Sequence, residues 1–119
     1  MPFRARESLL PLTPLSFEIL LALVNTDQHG YAILQIVEAR AGSVLPLRTG
    51  TVYRALARLM DEGLIAEAEA AGLADERRRT YRITASGRKV ARAEAERLAG
   101  QVAAARTYRL LPAGRTEKK

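Results

Sequence analysis

Apolar positions recur at helical spacing in four stretches of the chain and alternate in one further stretch. Helices are expected over residues 13–25, 31–41, 49–62 and from about 86 to 106 or beyond. Thr13, followed by a proline, is expected to cap the first of them. The pattern predicts a mainly α-helical protein.

The first predicted helix is apolar on two faces. One face carries Leu15, Ile19, Ala22 and Leu23, and the nearly opposite face carries Phe17, Leu20, Leu21 and Val24. A helix that is apolar all round is usually buried on both sides. We therefore expect its second face to pack on a partner subunit or on the C-terminal helix.

The third predicted helix is amphipathic, with marked ends and a basic outer face. Thr49 is expected to cap its first turn, and Gly63 to form a left-handed C-terminal cap. Val52, Ala55, Leu56 and Leu59 share one face, while Gly50, Arg54, Ala57, Arg58 and Asp61 lie opposite, with Thr51 and Tyr53 on the flanks. Such a rod can enter a DNA major groove, where arginine donates to guanine or phosphate. Taken alone, however, such a pattern more often belongs to an ordinary amphipathic helix with a solvated basic face.

Residues 64–84 predict a β-hairpin, or wing, directly after the third helix. Tyr81 and Ile83 alternate with polar residues in the stretch 77–84, which is typical of a strand. The stretch 64–70 could be the other strand, although its alanines and glutamates would equally suit a helix.

The predicted tip of the wing carries Arg77, Arg78 and Arg79. A basic run is most often a solvated face. Here it follows a basic helix and lies on a projecting hairpin, which favours contact with phosphate or the minor groove.

The last predicted helix carries a seam of small apolar residues spaced alternately four and three apart. At 1.5 Å per residue it would be roughly 30 Å long, longer than the small preceding domain needs. An intramolecular packing helix is the alternative, but we favour dimerisation. The expected dimer surface comprises Phe17, Leu21 and Val24 of the first helix and Ala91, Ala95, Leu98, Val102 and Ala105 of the last.

Composition narrows the choice of partners. Lysine and arginine outnumber aspartate and glutamate by 19 to 13, which gives a net charge of +6 and favours nucleic acid or an anionic membrane surface. The longest apolar run, 19–24, is far too short to cross a bilayer, and the N-terminus has no apolar signal-peptide core. We expect a cytoplasmic protein without a membrane partner.

Catalysis and metal binding are not expected. The chain has one histidine, His29, and no cysteine, so it holds no Cys–His or Ser–His–Asp constellation. It also offers too little nitrogen and sulfur for a zinc or copper site. We therefore predict no enzymatic activity, no cofactor and no metal.

The order of these elements resembles a winged helix-turn-helix domain and, more narrowly, the PadR-like family of bacterial transcriptional regulators. The resemblance covers about residues 13–106 and depends on His29-Gly30-Tyr31, Gly50-Thr51-Val52-Tyr53-Arg54-Ala55-Leu56 with Arg58-Leu59, Gly63-Leu64-Ile65, Arg77-Arg78-Arg79-Thr80-Tyr81-Arg82-Ile83-Thr84 and Gly87-Arg88. Together with the composition of the two ends, it divides the chain into an expected flexible arm over 1–12, a winged helix-turn-helix domain over 13–84, a C-terminal dimerisation helix over 85–109 and a mobile tail over 110–119.

The resemblance implies a homodimer that binds a palindromic operator in double-stranded DNA and represses transcription until a ligand or signal intervenes. The expected DNA-contacting residues are Arg48, Thr49, Thr51, Tyr53, Arg54, Arg58, Arg77, Arg78 and Arg79. A small apolar effector between the first and last helices would alter the separation of the two recognition helices. A winged-helix module that docks proteins without reading DNA is the alternative.

Three departures from the family pattern bear on this expectation. A small hydroxyl residue is common where Arg48 stands, which moves the expected cap to Thr49. Asp75 and Glu76 lie beside the arginines and would weaken the grip of the wing. Tryptophan is absent, so aromatic stacking on a flat effector would depend on residues such as Phe17 or Tyr108.

Overall fold

The computed structural model describes residues 9–45, 47–68 and 78–114. Its helices and strands are α1 (Pro14–Leu23), β1 (Gln28–His29), α2 (Gly30–Ala41), α3 (Thr49–Asp61), β2 (Ile65–Glu67), β3 (Thr80–Ile83) and α4 (Ala85–Thr107). Residues 69–77 of the expected wing, Arg77 included, lie outside the described residues, as do residues 1–8 of the expected arm and 115–119 of the expected tail. The described fold is mainly helical with a small antiparallel sheet, as the sequence predicts.

Threonine hydroxyls begin two of the helices. The Thr13 hydroxyl accepts from the Ser16 N–H at 3.0 Å, and the Thr84 hydroxyl accepts from the Gly87 N–H at 3.0 Å. Each bond satisfies one of the N–H groups that a first helical turn leaves unpaired. The predicted cap of α1 is therefore confirmed, although that helix ends at Leu23 rather than near residue 25.

The two ends of α3 differ in how well the sequence predicts them. Its N-cap is Arg48, with no side-chain hydrogen bond to the first turn, so the expected cap at Thr49 is wrong. Gly63 adopts a left-handed φ of 77°. The Gly63 and Leu64 N–H groups then donate to the carbonyls of Met60 and Leu59, each at 3.0 Å. This is a Schellman cap, and it confirms the prediction for Gly63.

The strands form one antiparallel sheet in the order β1-β3-β2. Ile65 pairs with Ile83 in the hairpin, which confirms the predicted wing. Gln28 and His29 pair with β3 on its other side and form a strand that the sequence pattern does not predict. The link 43–48 between α2 and α3 begins as a turn and has no strand among its described residues.

Helix α1 lies at the centre of the fold and packs against α2, α3, α4 and β3. Its fully buried side chains belong to one apolar cluster with residues from α2, α3, β2, β3 and α4. The fully buried apolar side chains are Ile19, Leu20, Leu23, Ile33, Val37, Val52, Leu56, Leu59, Leu64 and Ile65. Both faces of α1 thus find partners within the chain, and Phe17, Leu21 and Val24 remain only partly covered.

The segment before α1 is not a free arm along its whole length. Leu12 is 9% exposed within the core, and Leu9 and Leu10 pack against it. The expectation of a flexible arm over residues 1–12 is therefore wrong for residues 9–12.

Helix α4 is covered over its first half only. Gly87, Val90, Ala91 and Glu94 are buried, whereas every residue from 99 to 104 is exposed. The second half therefore extends beyond the core.

Candidate nucleic-acid interface

The outer face of α3 presents two exposed arginines, Arg54 and Arg58. The opposite face is held in the core by Val52, Leu56 and Leu59. Arg54 lies over the first turn, where its Nη2 is 3.4 Å from the Thr51 hydroxyl oxygen. The face that points away from the core therefore carries the guanidinium groups, as the helical spacing predicts.

The first turn of α3 adds backbone donors to this face. Arg48, Thr49 and Gly50 are exposed, and no side chain caps the helix. The N–H groups of a first helical turn carry partial positive charge and favour anions. Arg54 and the start of α3 together form one electropositive surface.

Tyr53 does not lie on that surface. Its side chain is 8% exposed and belongs to the core, so the expectation that it faces DNA is wrong. Helix α3 packs against α1, α2 and β2, and Tyr53 belongs to the core cluster that includes residues of all three. An aromatic ring on a flank is commonly buried in this way.

The arginines at the start of β3 are not equivalent. Arg78 is exposed, whereas Arg79 is half-buried with its Nε 3.3 Å from Glu67 Oε2. Residues 79, 81 and 83 point to the inner face of the sheet because side chains alternate along a strand. The expected contact of all three wing arginines with DNA is thus reduced, among the described residues, to Arg78.

Two residues beyond the expected set lie on the outer face of the sheet. Arg82 is exposed on β3, and its Nη1 donates to the Glu67 carbonyl at 3.0 Å. His29 is exposed on β1, opposite Thr80. The alternation along β3 already placed Arg82 outside, but nothing in the sequence pairs His29 with this strand.

The expected dimer residues fall into two groups. Phe17, Leu21, Val24, Ala91 and Ala95 line an open groove of about 230 Å³ between α1 and α4, which Arg88 and Arg92 border. Leu98, Val102 and Ala105 continue along the exposed half of α4. Leu21 and Val102 remain 37% and 39% exposed, while Ala91 is only 7% exposed and already packs within its own chain.

Other kinds of site find no support in the described ranges 9–45, 47–68 and 78–114. No helix there is both long enough and apolar enough to span a membrane. The same residues bring together no group of three metal-ligating His, Cys, Asp or Glu side chains.

The chain is similar to known transcriptional regulators in sequence and in fold. The model of the PadR-like family of transcriptional regulators matches residues 19–93. A transcriptional regulator from Clostridium thermocellum is 25% identical, with a TM-score of 0.64 over 80% of this chain and 89% of that one. No curated protein sequence matches the chain.

Two PadR structures share the fold at lower identity. A PadR family transcription regulator from Clostridium difficile R20291 is 24% identical, with a TM-score of 0.67 over 81% of this chain and 98% of that one. Bacillus subtilis PadR, solved in complex with operator DNA, is 23% identical, with a TM-score of 0.56 over 92% of this chain and 54% of that one. Since the family model spans more than half of the sequence, the chain belongs to the PadR-like family of transcriptional regulators.

Proposed function

We propose that this regulator binds a palindromic operator in double-stranded DNA as a homodimer and represses transcription. The observation that carries the proposal is the pair of exposed arginines, Arg54 and Arg58, on the outer face of α3. The structure of Bacillus subtilis PadR with operator DNA supports it, because that protein shares the fold.

Helix α3 and the wing would make different contacts with DNA. Arg54 and Arg58 would contact base edges or phosphates from α3, and the first-turn N–H groups would bind phosphate. Arg78 on the wing would add phosphate attraction that weakens with salt. Two recognition helices about 34–36 Å apart would match half-sites one turn of DNA apart.

Removing one arginine from α3 tests this proposal. After selection of bound duplexes from random DNA, Arg54→Ala is expected to weaken binding to the selected operator by about 10- to 100-fold, because one bidentate arginine–guanine contact contributes about 1–3 kcal/mol. Arg58→Ala is expected to act in the same direction. Fluorescence anisotropy at fixed salt measures both effects.

Lys89→Ala is the matched control, since it removes one positive charge from an exposed position on α4. It is expected to change operator affinity by less than twofold. If wild-type protein enriches no sequence from the random pool, the operator proposal is wrong. If the arginine variants keep DNA affinity but lose a protein partner, the docking alternative replaces it.

The proposed dimer would form through α4 and the exposed side of α1. Leu21 and Val102 leave apolar surface uncovered, and the seam positions that stay accessible, Ala95, Leu98, Val102 and Ala105, are spaced symmetrically about residue 100. The same seam can therefore pair with an antiparallel copy of itself, as a two-fold interface requires. A small apolar effector in the groove between α1 and α4 would change how the two copies pack and release the operator.

A charge in the seam is expected to separate the copies. Val102→Glu would bury an unpaired carboxylate between the subunits, and we expect it to weaken dimerisation at least 10-fold in sedimentation equilibrium. Ala103→Glu places the same charge about 100° further around α4, off the seam, where Ala103 is exposed, and is expected to leave the dimer intact. Equal weakening by both substitutions would place the interface elsewhere.

A further inference from the structure

His29 occupies the junction between the sheet and the helix-turn-helix. It is the second residue of β1, where it pairs with Thr80, and it is also the N-cap residue of α2. Its side chain makes no capping bond to α2. The imidazole is therefore engaged in something other than beginning the helix.

The His29 imidazole contacts the start of β3. Its Nδ1 lies 2.9 Å from the Arg78 carbonyl oxygen and 3.0 Å from the Thr80 hydroxyl oxygen. A carbonyl oxygen can only accept a hydrogen bond, so the contact with Arg78 requires the proton to be on Nδ1. The same N–H can be shared with the Thr80 hydroxyl, which leaves Nε2 directed away from these partners.

The backbone next to His29 adds a second link to the same segment. The Gly30 N–H donates to the Arg79 carbonyl at 3.0 Å. Because β1 has only two residues, this pairing is short, and the imidazole extends it by one carbonyl towards Arg78. The exposed Arg78 side chain therefore projects from backbone that His29 links to the start of α2.

We propose that His29 is a positioning residue for the wing: its Nδ1–H fixes the Arg78 carbonyl and so holds the Arg78 side chain in place relative to α3. The effect on DNA rests on the proposed operator binding, whereas the link itself does not. Because the backbone at Arg78 is already fixed, the wing loses less conformational entropy when it binds a phosphate.

Substitution of His29 by Asn or by Gln distinguishes the roles of the two ring nitrogens. His29→Asn keeps an amide donor near the position of Nδ1, His29→Gln moves that amide towards the position of Nε2, and His29→Ala removes both. Exchange of the Gly30 amide hydrogen is expected to accelerate about 3- to 10-fold in the Ala and Gln variants and to stay near the wild-type rate in Asn, since loss of one neutral hydrogen bond has an effect of this size. Unchanged exchange in His29→Ala would overturn the inference, even for a protein that selects no duplex.

Operator affinity tests the consequence for DNA. We expect His29→Ala and His29→Gln to weaken operator binding about 3- to 10-fold and His29→Asn to restore it. In an Arg78→Ala background, His29→Ala is expected to have no further effect, because the residue acts through Arg78. An equal loss in both backgrounds, or wild-type affinity of His29→Ala where Arg78→Ala is weakened, would refute the positioning role while leaving operator binding intact.

Discussion

Gly87→Ala is expected to lower the free energy of unfolding by about 3 kcal/mol or more, because a side chain at this position would collide with backbone rather than with movable atoms. A β-carbon on Gly87 would overlap the Leu64 carbonyl oxygen and lie 2.8 Å from Ile83 Cγ1. The same carbonyl accepts from the Thr84 N–H at 3.1 Å, so displacing it would also disturb the start of α4. The absence of a β-carbon on Gly87 is what allows the first turn of α4 to lie directly against the backbone between α3 and β2.

Gly100→Ala is the matched control for this substitution. Gly100 lies in the same helix, and a β-carbon there would meet nothing within 4 Å. In an exposed helix interior, alanine is more favourable than glycine by about 0.5–1 kcal/mol. Chemical denaturation at one protein concentration should therefore show shifts of opposite sign for the two variants. A stabilising or neutral Gly87→Ala would mean that α4 can move away from Leu64 without loss.

The helix ends were largely predictable because their signals are local. Thr13 and Gly63 act through bonds to residues at most a few positions away, so the sequence contains everything that their prediction needs. The wrong prediction of a cap at Thr49 also arises from a local signal. Arg48 and Thr49 compete for one cap position, and neither side chain makes the capping bond.

Features that depend on contacts between distant segments were less predictable. The strand Gln28–His29 has no periodic pattern, since two residues cannot show one, and it exists because β3 offers an edge. The core position of Tyr53 depends in the same way on the elements that surround α3. The spacing of neighbouring residues predicts neither the strand nor the burial of Tyr53.

The different orientations of Arg78 and Arg79 could have been predicted from the sequence. The alternation that placed Tyr81 and Ile83 inside also assigns Arg79 to the inner face and Arg78 to the outer. Treating the three arginines as one basic cluster hid this difference. The role of His29 could not be found in the same way, because it requires knowing which strand lies opposite.

The segment before α1 contacts the buried carboxylate of Glu94. The Glu94 residue is 2% exposed. Its Oε1 and Oε2 accept from Arg97 Nε at 2.8 Å and Nη2 at 2.7 Å, and the Leu12 backbone N–H also donates to the carboxylate. The hydrogen bonds from Arg97, with a smaller contribution from the Leu12 N–H, lower the pKa of Glu94 below its ordinary value of 4.5, although burial opposes them.

The lowered pKa fixes the sign of the pH dependence. The folded protein holds the Glu94 carboxylate ionised more strongly than the unfolded chain does, so its contribution to stability is complete above pH 4.5 and is lost as the pH falls through the folded pKa. Wild-type stability should therefore decline in this range, and Glu94→Gln should remove that part of the decline. Urea denaturation at a series of pH values measures both curves.

Glu94→Ala is expected to lower the free energy of unfolding by about 2–3 kcal/mol at neutral pH, because it leaves a cavity and removes the acceptor of the Leu12 N–H. The loss should fall short of the 3–5 kcal/mol typical of a broken buried ion pair, since the Arg97 side chain is 34% exposed and regains water. Glu96→Ala is the control, because Glu96 is exposed two residues further along α4. If both alanine variants unfold alike and keep the wild-type decline in acid, the Glu94 carboxylate does not hold residues 9–12 against α4.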